Sequence, residues 1–224
     1  MKEQKNLTIA AYDTIKMMMI NYDIIPGQRL VFVDLAKQLG VSRTPINNAL
    51  SILAKEGYLD FVPNQGYSVH RLTMSEFKFL YEFREILELG SIGKAIRQIT
   101  EEKFKKVEER MNEYKESITD RTHRKLFILD TDFHAGIIEM AGNPILVERY
   151  RDICQKIFLR FRIEHLPVER INEIIIQHQS LLEALLFKDV THAKELIKKH
   201  NRYAMNNLIA HIFSDEEKQK GLLR

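Results

Sequence analysis

Apolar positions recur at helical spacing along most of this chain, and at strand-like spacing in one short window. Leu7, Ala11, Ile15 and Met18 form a stripe between about residues 5 and 21, which Asp23-Ile24-Ile25-Pro26-Gly27 closes with a turn. A short helix is expected over about 31–39, ended by Gly40. Another opens with Ser42 as N-cap and Pro45 in its first turn, where the missing N–H costs little, and runs to about Lys55 before Gly57. Two segments rich in β-formers, 58–62 and 67–71, flank the turn signal Pro63-Asn64-Gln65-Gly66 and read as a β-hairpin. The order helix, helix, tight turn, helix, hairpin is that of a winged helix-turn-helix.

From Thr73 onward no strand pattern is present. Thr73-Met74-Ser75-Glu76 has the form of a capping box before an amphipathic helix that reaches about Gln98. Thr100 caps a helix to about Ser117, and further helical patterns cover about 121–140, 144–162, 169–187 and 190–213. Asn143 and Asp189 are the N-caps expected at two of the breaks, and the charged tail from Ser214 is expected to fray. Six helices joined by short loops pack antiparallel. The expected fold is therefore mainly α: a winged helix-turn-helix over residues 1–72, then an antiparallel α-helical bundle over 73–224.

Composition narrows the setting. The chain has 224 residues, 45% of them hydrophobic, which is enough for a substantial core in one or two domains. A single cysteine, Cys154, forms no internal disulfide and fits a reducing compartment. The N-terminus lacks a signal-peptide core, and no apolar run approaches the ~18 residues of a membrane span, so a cytoplasmic protein with no membrane partner is expected. Net charge is only +3, and residues 1–72 carry 8 Lys+Arg against 6 Asp+Glu. Charge alone does not argue for nucleic acid.

The helix-turn-helix does. Its second helix enters the major groove, with its N-terminal residues facing bases and phosphates. Those residues are Ser42, Arg43 and Thr44, at a helix start whose N–H groups and dipole favour phosphate. Arg43 suits a phosphate or a guanine edge, and Asn47, one turn on, suits adenine. The wing tip Asn64-Gln65-Gly66 allows close backbone approach. Read from pattern alone, a small helical domain with a hairpin and no DNA role stays open.

In the second part, Asp130 and His134 stand i, i+4 on one helical face. His178 and His200 are equidistant from the expected turn at Asp189, 11 residues each, which sets them level on adjacent antiparallel helices. Three imidazoles and a carboxylate suit a divalent cation such as Zn²⁺ or Ni²⁺ with positions left for a ligand. Hydrogen-bonded core histidines and a surface Asp–His pair are the alternative.

The run Leu35-Ala36-Lys37-Gln38-Leu39-Gly40-Val41-Ser42-Arg43-Thr44-Pro45, with Ala49, Leu50, Leu53, Glu56 and Gly57 after it, closely resembles the GntR family of bacterial regulators. Ile25-Pro26-Gly27-Gln28-Arg29-Leu30 and Pro63-Asn64-Gln65-Gly66 match the same pattern. Asp130-Thr131-Asp132-Phe133-His134, His178 and His200 resemble the Asp-x-x-x-His motif and its partners in the FCD ligand-binding domain, which marks the FadR branch. The resemblance implies a dimeric, operator-binding regulator whose Asp130, His134, His178 and His200 hold a metal that assists a small carboxylate effector. Arg84, in Tyr81-Glu82-Phe83-Arg84-Glu85-Ile86-Leu87-Glu88, matches a family pattern too, as an effector contact or as a salt bridge to Glu88 or another acid. Arg160 and Arg162 are weaker effector candidates. Asn47-Asn48 stands where the family usually has Arg-Glu or a similar pair, Gln65 where a basic residue is common, and Phe32 and Val33 near a common charge. Fewer cationic contacts flatten the salt dependence of binding.

An enzyme is the competing class. Di-iron carboxylate bundles need Glu-x-x-His, and no Glu stands three residues before any histidine here. A mononuclear metal-dependent hydrolase would need a general base beside the metal, and no motif places Glu139 or Glu173 there. A ligand-responsive regulator, not an enzyme, is the expected function.

Overall fold

The computed structural model describes residues 2–118, 123–160 and 168–221. The chain divides into two compact units, Met1–Leu72 with Lys156–Arg162, and Thr73–Gln155 with Ile163–Arg224.

In the first unit α1 (Lys2–Ile20), α2 (Phe32–Leu39) and α3 (Arg43–Lys55) surround a small core, and α3 packs on α1, α2 and the strand that follows it. Ile46, Ala49, Leu50 and Leu53 form the buried stripe of α3, against Ile15 and Met19 of α1. Each such side chain contributes roughly 1.5–3 kcal/mol by leaving water. Gly40 ends α2 at φ 66°, a left-handed cap that a side chain would strain. The wing is β2 (Leu59–Val62) and β3 (Gly66–Val69), antiparallel, with Val62 opposite Gly66. Asn64 (φ 65°) and Gly66 (φ 87°) supply the left-handed residues of its turn. A third strand, β1 (Arg29–Leu30), was not anticipated. It pairs with β3 as Arg29↔Ser68 and Leu30↔Tyr67, giving the order β1-β3-β2. Two residues carry no periodicity, so only its pairing reveals it.

The second unit contains α4 (Met74–Arg97), α5 (Glu101–Glu116), α6 (His123–Met140), α7 (Pro144–Leu159) up to Gln155, α8 (Val168–Leu186) and α9 (Val190–Gly221). Helix α4 packs on α6 and α9, α5 on α6 and α8, and α8 on α9. Its core joins Ile92, Val107, Met111, Phe133, Ile137, Leu181 and Ile197 across five of these helices. The caps follow the sequence. Thr73 and Glu76 form a reciprocal capping box, the Thr100 hydroxyl accepts from Lys103 N, Asn143 Oδ1 from Ile145 N, and Asp189 Oδ1 from His192 N. Ser42 occupies the N-cap position of α3, yet its side chain makes no capping hydrogen bond. Helix α9 continues to Gly221 where a fraying tail was expected from Ser214; Asp215-Glu216-Glu217-Lys218-Gln219-Lys220 contains no Pro or Gly to stop it. The expected helix start near Arg121, and the candidate Arg162, lie outside the described residues. No described helix is long and apolar enough to cross a membrane.

Candidate functional site

Ser42, Arg43, Thr44 and Asn47 are all exposed at the start of α3, on the face opposite its buried stripe. The stripe explains this: burying Ile46, Ala49, Leu50 and Leu53 leaves positions 43, 44, 47 and 48 facing solvent at 3.6-residue spacing. Asn64 and Gln65 are exposed at the wing tip and Gly66 is partly covered.

The helical unit holds the second site. Asp130 and His134 project from α6, His178 from α8 and His200 from α9, and all four are buried. One donor atom from each lies within 4.8 Å of the others. Asp130 Oδ1 stands 3.2 Å from His178 Nε2, 3.5 Å from His200 Nε2 and 3.9 Å from His134 Nε2. The imidazoles of His178 and His200 are neighbours with ring centroids 5.1 Å apart, as equal distance from the Asp189 turn requires. The ring of Phe133 stacks on His178 at 4.2 Å.

Asp130 Oδ1 and the three Nε2 atoms are buried and make no hydrogen bond. A buried polar atom left in that state costs about 1–3 kcal/mol, and four converging lone pairs also repel. The remaining atoms say what they are prepared for. His134 Nδ1 lies 3.1 Å from Glu88 Oε1, and His200 Nδ1 lies 2.9 Å from Gln177 Oε1. Each acceptor keeps the proton on Nδ1 and turns a bare Nε2 inward. Two donors bound about 2.0–2.1 Å from a tetrahedral zinc stand roughly 3.4 Å apart, so these separations fit a first-row divalent cation.

Electrostatics favour the same state. Burial would raise the Asp130 carboxyl, but His178, His200 and the Arg84 guanidinium hold it well below the usual carboxylate range. Burial lowers His178 to about 3 and His200 to about 4, outweighing the attraction of Asp130, so both imidazoles are neutral near pH 7. Glu88 is brought down to about 2: burial opposes this, and Arg84, His134 and Asn201 overcome it.

Arg84 is 1% exposed and bridges these carboxylates, with Nη2 donating to Asp130 Oδ2 at 3.2 Å and Nε lying 3.5 Å from Glu88 Oε1. It thus makes the Glu88 salt bridge while also lining an open recess. Tyr81, Tyr114, Asp130, Arg170 and His200 line the same recess. The recess has a volume of about 40 Å³ and is partly open to solvent.

In the sequence Glu88 stands out only as a partner for Arg84, and no pattern marks Asn201, Arg170, Tyr81 or Tyr114 as part of the site. The i, i+4 spacing of Arg84 and Glu88 was the available signal; the others come from helices whose registry only packing sets. Asp132 faces away and pairs with Arg151, and His70 pairs with Asp60 at 2.8 Å. Arg160 falls in the first unit and donates to the Gly57 carbonyl. His165 lies outside the described residues.

Residues 7–69 match the bacterial regulatory proteins of the gntR family, and residues 79–203 match the FCD domain, which spans α4 to α9 and every residue of the buried cluster. The chain belongs to the GntR family. It is a transcriptional regulator with an FCD domain. The HTH-type transcriptional regulator YdhC of Bacillus subtilis is 26% identical over 95% of this chain and 90% of its own length. The Nta operon transcriptional regulator of Aminobacter aminovorans is 31% identical over 62% of this chain and 66% of its own. Among solved structures, Escherichia coli McbR/YncC superposes with a TM-score of 0.78 at 22% identity, covering 91% of this chain and 97% of that one, a likeness of fold. Domains and relatives are those of transcription regulators and not of enzymes, which removes the metal-dependent hydrolase. The GntR domain implies DNA as a partner and the FCD domain a small-molecule effector.

Proposed function

We propose that the regulator is a cytoplasmic homodimer that binds double-stranded operator DNA and senses a small carboxylate at a metal-assisted site. The observation that carries the sensor reading is the convergence of four buried donor atoms without hydrogen bonds, Asp130 Oδ1 and Nε2 of His134, His178 and His200. Zn²⁺ or Ni²⁺ suits this donor set. When bound, such an ion supplies a fixed positive charge with positions open to an effector oxygen. The chain's own residues prepare the site. Arg84 takes Asp130 Oδ2 and leaves Oδ1 turned to the imidazoles, while Glu88 and Gln177 fix two tautomers. Arg84 also lines the recess and is proposed as an effector contact.

At the other site, Ser42, Arg43, Thr44 and Asn47 read the major groove, and Asn64, Gln65 and Gly66 approach the backbone from the wing. Two heads in a two-fold dimer match a palindromic operator. With Asn47 presented and few cations beside it, adenines weigh more than guanines in that operator. The recess opens to solvent beside the cluster, so an effector can reach it, and binding that favours one arrangement of the helices shifts the population towards it. The effector shifts DNA affinity by its preference for that arrangement.

The test is selection of genomic fragments with the purified full chain, metal-free and zinc-loaded, across a salt series. Enrichment of a few palindromic sites with an adenine-bearing core supports the reading. Retention of all fragments alike, lost together as salt rises, overturns it.

A further inference from the structure

Arg170, near the start of α8, is 6% exposed, and its guanidinium lies 5.8 Å from the centroid of the Tyr203 ring. Nη1 pairs with Glu173 Oε2 at 3.1 Å, and that carboxylate is 52% exposed. Nη2 is buried and makes no hydrogen bond. On α4, the Tyr81 hydroxyl is likewise buried and without a hydrogen bond. Both side chains line the recess that Arg84, Asp130 and His200 also line. The two arginines of this recess therefore differ. Arg84 is matched by two buried carboxylates, Glu88 and Asp130, in direct contact. Among the described residues Arg170 pairs with one acid, Glu173, placed where water screens it. A buried guanidinium N–H and a buried hydroxyl without acceptors are costly unless something arrives to accept from them. A carboxylate does so with two oxygens, and a planar guanidinium fits it well.

We infer that Arg170 and Tyr81 form a second anion-recognition point in the recess, which takes one carboxylate of an effector whose other acidic group faces the Asp130–histidine cluster. The effector is then a small dicarboxylate rather than a monocarboxylate. The inference rests on the reading of this recess as the effector site, but not on the identity of the metal. Losing Nη2 removes the charge at this point, and losing the Tyr81 hydroxyl removes one neutral donor. The first is the larger loss.

The test is calorimetric titration of the full chain with succinate, citrate and acetate, zinc-loaded and metal-free, alongside a separate zinc titration. Succinate or citrate is expected to bind the zinc-loaded protein more tightly than acetate. Arg170→Gln weakens succinate by roughly 10- to 100-fold, with acetate affected much less and zinc affinity retained. Tyr81→Phe, which keeps the ring and hence the packing, weakens succinate by a smaller factor, and Arg170→Lys restores part of the Arg170→Gln loss. Lys106→Gln, at an exposed surface pair, leaves all titrations unchanged. The inference is overturned if Arg170→Gln and Tyr81→Phe bind succinate like the parent protein. It is overturned equally if Lys106→Gln matters as much as Arg170→Gln, or if neither succinate nor citrate binds at millimolar concentration. A protein that takes up no zinc yet binds succinate through Arg170 refutes the metal reading and leaves this one standing. One that takes up zinc but shows no Arg170 dependence does the reverse.

Discussion

The start of α3 and the cluster around Asp130 both collect polar side chains, under opposite constraints. Ser42, Arg43, Thr44 and Asn47 are exposed, so each has water as its alternative partner and none is fixed by its neighbours. Exchanging one should change little of the helix's stability, because the buried stripe of Ile46, Ala49, Leu50 and Leu53 holds α3 in place. Around Asp130 each polar atom depends on the next: Arg84 on Glu88 and Asp130, Glu88 on His134 and Asn201, His200 on Gln177. One deletion there leaves a buried partner unmatched. A solvent-facing site can vary residue by residue, whereas a buried one is retained or lost as a network.

The largest effect expected from this contrast is on metal binding. His178→Ala should lower zinc affinity by at least about 100-fold and abolish the rise in melting temperature that zinc gives the parent, a rise equivalent to about 2.7 kcal/mol at a hundredfold excess over Kd. Equal zinc stabilisation of variant and parent would show that the cluster is only a polar core. Next is Glu88→Gln, which leaves Arg84 and His134 facing a neutral amide. It should destabilise the metal-free protein by about 3 kcal/mol in urea, where the exposed Asn47→Ala should change stability by under about 0.5 kcal/mol.

At the DNA face, Arg43→Ala should weaken operator binding by about 1–3 kcal/mol and reduce the salt slope by about one if Arg43 meets a phosphate. Asn47→Ala should cost a similar amount at one base pair without touching the slope. An unchanged adenine preference in that variant would remove Asn47 from base reading.

The pH response separates the regions further. His178 and His200 sit at about 3 and about 4 in the fold, below the ordinary 6.5. Between those values the unfolded chain binds protons that the folded chain does not, so stability falls as pH falls from about 6.5 towards 4. Glu88, held at about 2 against an ordinary 4.5, adds its loss only below about pH 4.5. The urea midpoint of the metal-free protein should therefore drop between pH 7 and pH 5, by less in His200→Ala. The smallest effect is local: Thr73→Ala removes half a capping box and should cost about 1 kcal/mol, with zinc and DNA binding unaltered.

Much of this was legible along the chain. The helices, their caps at Thr73, Thr100, Asn143 and Asp189, and the Pro63–Gly66 turn follow from rules that act over a few residues. The pairing of His178 with His200 was legible too, since a short turn forces antiparallel helices into register. Strand β1 was not, because two residues have no pattern and their partner lies nearly forty positions away. Arg170 and Tyr81 were not, because an arginine on an amphipathic helix reads as surface until its neighbours are known.

The sequence by itself determined the order of elements, the helix-turn-helix with its exposed polar residues at the start of α3, and the four donors, since each is set by local spacing, capping and hydrophobic period. Tertiary structure alone decided that Glu88 serves both Arg84 and His134, that Gln177 orients His200, and that Arg170 and Tyr81 line one recess. Those relations join side chains on different helices, whose relative rotation and height are fixed by packing of the shared core, and no stretch of sequence encodes them locally.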